Sequence, residues 1–193
     1  MISPRILFFG DLTETDFGVE ELVGYAEKSE RLAAYFDDAL VVSQKTLSSL
    51  SLNDLSTFPL DSLAKLASRV QQDESSSVVL RALALCFAQI GHLIAELEKN
   101  PALQDLWIKQ KVLIVASCAG QLAGSLAATA RSIDDLVKAG PEMLAVMIRA
   151  AFDADRKTDA VIDDRSKSCA YAVFEISVSQ AVGAADQFNK EKV

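Results

Sequence analysis

Histidine is almost missing from this chain. There is one, His92, and there are only three cysteines, Cys86, Cys118 and Cys169, with no Cys-x-x-Cys pair among them. A structural zinc site needs about four such ligands at close spacing, so no metal is expected. Three scattered thiols also make no disulfide framework, which points to reduced cysteines in a cytoplasmic protein. Cations are short as well: 19 Lys and Arg face 27 Asp and Glu, a net charge of −8. Binding to nucleic acid requires a concentrated basic surface, so that class of partner is excluded. No basic segment followed by an apolar stretch opens the chain, and no secretory leader is expected. The longest apolar segment, Val78 to Leu97, is interrupted by Arg81, Gln89, His92 and Glu96. It reads as a buried helix and not as a membrane span.

Half of the 193 residues are hydrophobic and 24% are charged, a globular composition long enough for one sizeable core, and residues 1–193 are expected to form a single domain. Arg5 to Phe9 is a short apolar run that ends at Gly10-Asp11, a strand and turn. Val19 to Glu27 and Ser29 to Leu50 read as helices, the second capped by Ser29 with Leu32, Phe36, Leu40 and Leu47 near helical spacing. A polar loop from Ser48 to Pro59 leads to a helix through Ala64, Ala67 and Val70 with Asp61 as its cap, and Gln71 to Ser77 forms a connector. The helix from Val78 stops near Asn100-Pro101, since proline cannot continue it, and a short helical turn over Leu103 to Lys109 carries Trp107. Ser132 opens another helix with Asp134 and Asp135 in its first turn, where the helix dipole favours acids, and Gly140-Pro141 is expected to end it. Pro141 then suits the first turn of a further helix from Met143 to about Ala160, Ala170 to Val178 reads as a strand, and Ser179 caps a last helix through Phe188-Asn189. Strands separated by helices pair in parallel, so the fold class is α/β, helix-rich with a short parallel sheet.

The chemistry concentrates between Lys111 and Gly124. An apolar, β-branched run, Val112 to Val115, reads as a buried strand, small residues follow, and an alanine-rich helix begins at about Ala119. Cys118 stands at the turn. A strand-turn-helix of this kind exposes a nucleophile on a sharp elbow, and the first helical N–H groups and the helix dipole favour a thiolate and stabilise an oxyanion. Bulk at Ala116 or Gly120 would block the turn. The local pattern indicates acyl transfer through a thioester. The plain alternative is that Cys118 is a small buried core residue, as cysteines often are.

Four segments then resemble, in order, the starter-unit acyl-carrier-protein transacylase domain of fungal non-reducing polyketide synthases. They are Ile6-Leu-Phe-Phe-Gly-Asp11-Leu-Thr13, Ala84-Leu-Cys-Phe-Ala-Gln89-Ile-Gly91-His92-Leu-Ile94, Ala116-Ser-Cys118-Ala-Gly120, and the region of Arg131-Ser132 and Ala145 to Phe152. The resemblance spans nearly the whole chain. It implies an acyltransferase core, α/β-hydrolase-like, with Cys118 as nucleophile and backbone N–H groups of Leu12 and Ala119 lining an oxyanion hole. It also implies an acyl thioester donor (acyl-CoA or a carrier-bound chain), an acyl carrier domain as acceptor through its phosphopantetheine, and no metal or redox cofactor. Two positions depart from the family pattern: Ala116 replaces its first motif glycine and Leu12 its glutamine. The family's catalytic histidine comes later, after a ferredoxin-like insertion. This chain is therefore expected to be the opening portion of such a domain, without that subdomain, and inactive in isolation.

His92 itself, on an apolar helix, is expected to satisfy one structural hydrogen bond. Of the arginines after the nucleophile, Arg131 and Arg149, the second matches an arginine common in the family and gives no sign of malonyl selection, so a neutral acyl chain is expected, with Arg149 a helix-face residue in a structural ion pair. Lys109 and Lys111 beside the elbow, and Arg156, Lys157, Arg165 and Lys167, are candidates for a carrier-binding patch. The second group alternates with Asp153, Asp155, Asp159, Asp163 and Asp164, which reads as a mixed-charge solvated face. Two readings from other classes stand beside the enzyme: a non-catalytic docking or scaffold module that keeps the transacylase fold, and a helical interaction domain with a buried Cys118.

Overall fold

The computed structural model describes residues 5–12, 16–50, 62–72 and 77–159. The chain divides into two compact units, Met1–Lys157 and Thr158–Val193, and nearly all of the described residues belong to the first. The expected strand Ala170 to Val178, the cap Asp61, the last helix, Cys169, Arg165 and Lys167 lie outside the described residues.

Two strands and seven helices are described. Strand β1 (Arg5–Phe9) is followed by α1 (Val19–Ala26), α2 (Glu30–Ser49), α3 (Leu63–Gln72), α4 (Val78–Lys99) and α5 (Pro101–Ile108), then by β2 (Val112–Ala116), α6 (Gly120–Thr129) and α7 (Ile133–Asp159). β1 and β2 pair in parallel, with Arg5 opposite Val112 and Phe9 opposite Ala116. The helical crossover between them is what a parallel pair requires, and it brings the ends of both strands to the same edge.

The helix ends follow local chemistry. The Ser29 hydroxyl accepts the Leu32 N–H at 3.0 Å, Ser77 accepts from Val79 at 3.2 Å and Asn100 from Leu103 at 3.1 Å, each relieving one of the donors a helix start leaves unpaired. Pro101 takes the first turn of α5, where a missing N–H costs nothing. At α3 the cap visible in the structure is Ser62, whose hydroxyl accepts from the Lys65 N–H at 3.4 Å.

Helix α4 forms the axis of the core, packed by α1, α2, α3, α5 and α6. It is long and apolar enough by composition to cross a membrane, yet 78% of its apolar window is buried inside this fold, as expected of a core helix. Phe87 is wholly buried on it, stacked on Tyr35 at 5.7 Å between ring centroids, and Tyr35 donates its hydroxyl proton to the Phe87 carbonyl at 3.1 Å. Trp107 closes the other end, its indole N–H bonded to the Ala127 carbonyl at 2.8 Å.

Two sequence expectations are corrected. Gly140-Pro141 does not end a helix, because α7 runs unbroken from Ile133 to Asp159 with Pro141 inside it. An internal proline costs about 3 kcal/mol through a lost hydrogen bond and a ring clash. The opposing gain is one continuous buried face: Ile133, Leu136, Leu144, Met147, Ile148 and Ala151 recur at helical spacing and all are buried. Gly140 belongs to that face, since a Cβ there would approach the Tyr35 ring to 2.8 Å and the Ile90 side chain to 3.2 Å. The glycine thus admits α7 against α2 and α4 and is no break.

β2 is likewise not a fully buried strand. Leu113 is 56% and Val115 40% exposed, beside Ile6 and Phe8 at 57% and 65%. With a side-chain period of two, residues 7, 9, 112, 114 and 116 face the helices and the alternate residues form an apolar outer face. An uninterrupted apolar run cannot by itself tell one covered face from two.

Candidate active site

The site is built where the two strands end. Ser117 continues β2 by donating its N–H to the Phe9 carbonyl at 2.9 Å, and the chain then reverses: Gly120 N–H bonds the Ser117 carbonyl at 2.8 Å and Gln121 N–H the Cys118 carbonyl at 3.1 Å. Cys118 occupies the left-handed region at φ 46°. For a residue with a Cβ that conformation costs about 1–3 kcal/mol and persists only where the surroundings enforce it. Its side chain is exposed, which removes the buried-core reading. Helix α6 starts directly after it, with Ala119 at the N-cap.

The elbow is enforced from beneath by the turn after β1. A Cβ on Gly120 would meet the Gly10 carbonyl oxygen and stand 2.5 Å from the Phe9 carbonyl oxygen. A Cβ on Gly124 would come within 2.7 Å of the Ala116 methyl. Gly120 lets α6 approach the backbone at the end of β1, and Gly124 lets it pack on the side chains of Ala116, Phe9 and Ile114; the sequence expected small residues at 116 and 120 for the tight turn alone. Across the strand ends, the Ser117 hydroxyl donates to the Asp11 carboxylate at 3.3 Å. The structure therefore gathers the Cys118-Ala119 elbow and the Gly10-Asp11-Leu12 turn at one edge.

His92 is held for a structural purpose. Its Nε2 lies 2.7 Å from the Phe17 carbonyl, which can only accept, so this nitrogen carries the proton. Gly18, at φ 58°, leaves the room: a Cβ there would stand 2.8 Å from that nitrogen. His92 shares a cavity of about 360 Å³ with Asp16, Phe17, Gly18, Leu85, Ala88 and Gln89, and Cys118 does not line it. Among the described residues, no group of three His, Cys, Asp or Glu is placed to hold a metal ion.

Of the candidate basic residues, Lys109 is paired with Asp105 at 2.7 Å on an exposed helix turn, and Arg156 lies 3.8 Å from Asp153. Lys111, Arg131 and Arg149 are exposed. Exposed pairs of this kind contribute little to stability.

Two residues that sequence reasoning did not assign hold the turn after β1. The Gln89 side-chain amide donates to the Gly10 carbonyl at 3.0 Å, and the Arg81 guanidinium to the Leu12 carbonyl at 3.1 Å. The available signal was their position: they are polar interruptions of the apolar helix α4, eight residues apart.

The two thiols in the described residues differ sharply. Burial pushes the Cys86 thiol up to about 12, so it stays protonated and enclosed, whereas Cys118 is open to solvent. Iodoacetamide is expected to modify Cys118 in the folded chain and to leave Cys86 untouched until unfolding, read by peptide mapping. Equal labelling of both would contradict this geometry.

An exposed side chain on a left-handed strand-to-helix elbow, whose neighbours Ser117 and Gly120 contact a second turn, has nucleophile-elbow geometry. The family described as starter unit:ACP transacylase in aflatoxin biosynthesis matches residues 7–193, and the chain belongs to that family. Its relatives include a non-reducing polyketide synthase of Aspergillus ustus, 26% identical over 194 residues that cover 100% of this chain and 9% of the relative. A non-reducing polyketide synthase of Pseudevernia furfuracea is 25% identical over 158 residues, covering 81% of this chain and 8% of the relative. The orsellinic acid synthase of Emericella nidulans is 25% identical over 192 residues, 98% of this chain and 9% of the relative. The chain thus spans less than a tenth of the length of these relatives.

Proposed function

We propose that this chain is the opening portion of a transacylase domain that loads a starter acyl group onto the acyl carrier domain of a fungal non-reducing polyketide synthase, with Cys118 as the nucleophile. The observation that carries this reading is the exposed Cys118 at φ 46°, in a chain that belongs to the transacylase family. The Cys118 thiolate attacks the carbonyl carbon of an acyl thioester (acyl-CoA or a carrier-bound chain), and the donor thiol leaves with a proton. The phosphopantetheine thiol of the carrier then attacks the Cys118 thioester, and Cys118 departs as thiolate. No metal or redox group enters this sequence. The negative charge on the carbonyl oxygen falls to backbone N–H groups of Leu12 and Ala119. In support, the elbow's own turn bonds use the N–H groups of Gly120 and Gln121 and not that of Ala119.

A base must take and return the proton. The one histidine of the chain is bonded to the Phe17 carbonyl, and the relatives are more than ten times longer, so we place the catalytic base and the ferredoxin-like part outside these 193 residues. We likewise read the two-stranded sheet as part of an α/β-hydrolase-like core and the setting as cytoplasmic. The expected behaviour is one acyl group on Cys118 after incubation with a neutral acyl-CoA, followed by little or no passage to a carrier thiol, both read by intact-mass spectrometry. Rapid multiple turnover by the 193-residue chain would overturn the placement of the base.

A further inference from the structure

The amide of Gln89 presents an unusual balance. Its nitrogen donates to the Gly10 carbonyl at 3.0 Å, while its Oε1 is fully enclosed and has no hydrogen-bond partner. A buried acceptor without a donor is a net cost, and such groups are few in folded proteins. On the stretch of helix between Ala82 and Gly91, where the other side chains are all apolar and buried, stability alone gives no reason to retain it. The gain must come from the bonded half.

That half acts on one peptide group. The Gly10 carbonyl is fixed from two sides, by the Gln89 amide and by the Cα of Gly120, at which a Cβ would clash with it. In a trans peptide the carbonyl and the next N–H point in opposite directions, so fixing the Gly10 carbonyl fixes the Gly10–Asp11 peptide plane. Arg81, two helical turns earlier on α4, fixes the Leu12 carbonyl at 3.1 Å in the same way. The Asp11–Leu12 peptide, which carries the Leu12 N–H, thus lies between two carbonyls tethered to α4. Ser117, next to Cys118 in the chain, bonds the Asp11 carboxylate of the same turn.

From these contacts we infer that Gln89 is a positioning residue of the transacylase site: by clamping the Gly10 carbonyl it holds the turn after β1 in register with Cys118, so that the turn's backbone N–H groups meet the oxyanion of the acyl-transfer step. This rests on the proposed role of Cys118. Gln89 touches neither substrate nor nucleophile, and its effect passes through the backbone it bonds.

The test compares two reactions of the same thiol. Alkylation by iodoacetamide displaces iodide from a saturated carbon and develops no oxyanion, whereas acylation by hexanoyl-CoA does. In the full chain, Gln89→Met keeps length and apolar volume but cannot donate. It is expected to slow single-turnover acylation of Cys118 by about 10-fold to 100-fold, below the loss seen when an oxyanion donor is itself removed. Alkylation is expected to change by less than about 2-fold, because the elbow stays folded. Arg81→Met should shift the same ratio in the same direction. Equal slowing of both reactions would mean a merely structural role and overturn the inference, as would unchanged acylation. If wild-type chain alkylates but never acylates, the transacylase reading fails, and the clamp is read instead from amide hydrogen exchange at Asp11 and Leu12. Faster exchange in Gln89→Met would retain the clamp and unchanged exchange would overturn it.

Discussion

Gly120→Ala is expected to be among the most damaging single-methyl additions in the protein. The new Cβ would meet the Gly10 carbonyl oxygen and lie 2.5 Å from the Phe9 carbonyl oxygen and 2.8 Å from its carbon. These are backbone atoms of a paired strand and its turn, so no rotamer change relieves the contact. α6 has to move away from β1, and the Ser117 N–H to Phe9 carbonyl bond of 2.9 Å stretches with it. Overpacking of well-packed sites costs about 1–3 kcal/mol where neighbours can shift, and a backbone obstacle puts the expected cost near the upper end, about 3 kcal/mol. In a chain of this size each kcal/mol lowers the midpoint by about 2–4 °C, so thermal unfolding should fall by about 6–12 °C. Gly24→Ala is the matched control, since a Cβ there meets nothing within 4 Å. In a helix interior that change should be neutral or stabilising by up to about 1 kcal/mol. Equal effects of the two substitutions, measured by calorimetry, would contradict the close seating of α6 on β1.

Phe87→Ala is the second large effect, and it removes the support of α4 instead of the elbow. The Phe87 ring is wholly buried and packs on Tyr35 and on Phe36, with centroids 5.7 and 4.8 Å apart. Truncation leaves a cavity lined by rings that are themselves held, Tyr35 by its hydroxyl bond to the Phe87 carbonyl. Phe→Ala changes in such cores cost about 3–5 kcal/mol, a drop of about 6–20 °C in the midpoint. Phe87→Leu should recover more than half of that loss. Since Arg81 and Gln89 reach the turn after β1 from the same helix, Cys118 alkylation is expected to lose its site selectivity near the lowered midpoint. A loss below about 1 kcal/mol for Phe87→Ala would mean that α2 and α4 are not packed as described.

Local chemistry was legible in the sequence, and its reach ended where tertiary contacts decide. Ser29, Asn100 and Pro101 announce helix boundaries because a cap needs only its own next few residues. The strand-Cys-helix pattern places Cys118 on an elbow because a tight turn needs small residues at 116 and 120, whereas the need for Gly124 shows only in its contacts with Ala116, Phe9 and Ile114. His92 could be assigned a structural bond because a lone histidine on an apolar helix has that one need, and the Phe17 carbonyl meets it. Pro141 was misread because its penalty is local while the compensation, a buried face spread along α7, is not. The exposure of Leu113 and Val115 was missed for a related reason: which strand face is covered depends on layers that the strand itself does not encode. Arg81 and Gln89 interrupt an apolar run, and the sequence shows the interruption without the carbonyls they bind.

The most direct measurement is intact-mass spectrometry of the folded chain after brief incubation with hexanoyl-CoA, with wild type beside Cys118→Ala. One acyl mass on wild type and none on the variant is the predicted result, and it would establish the exposed elbow cysteine as an acyl acceptor. An adduct that survives in Cys118→Ala, or no adduct on a wild-type chain whose Cys118 alkylates readily, would contradict the thioester mechanism and return the chain to a scaffold that keeps the transacylase fold without its chemistry.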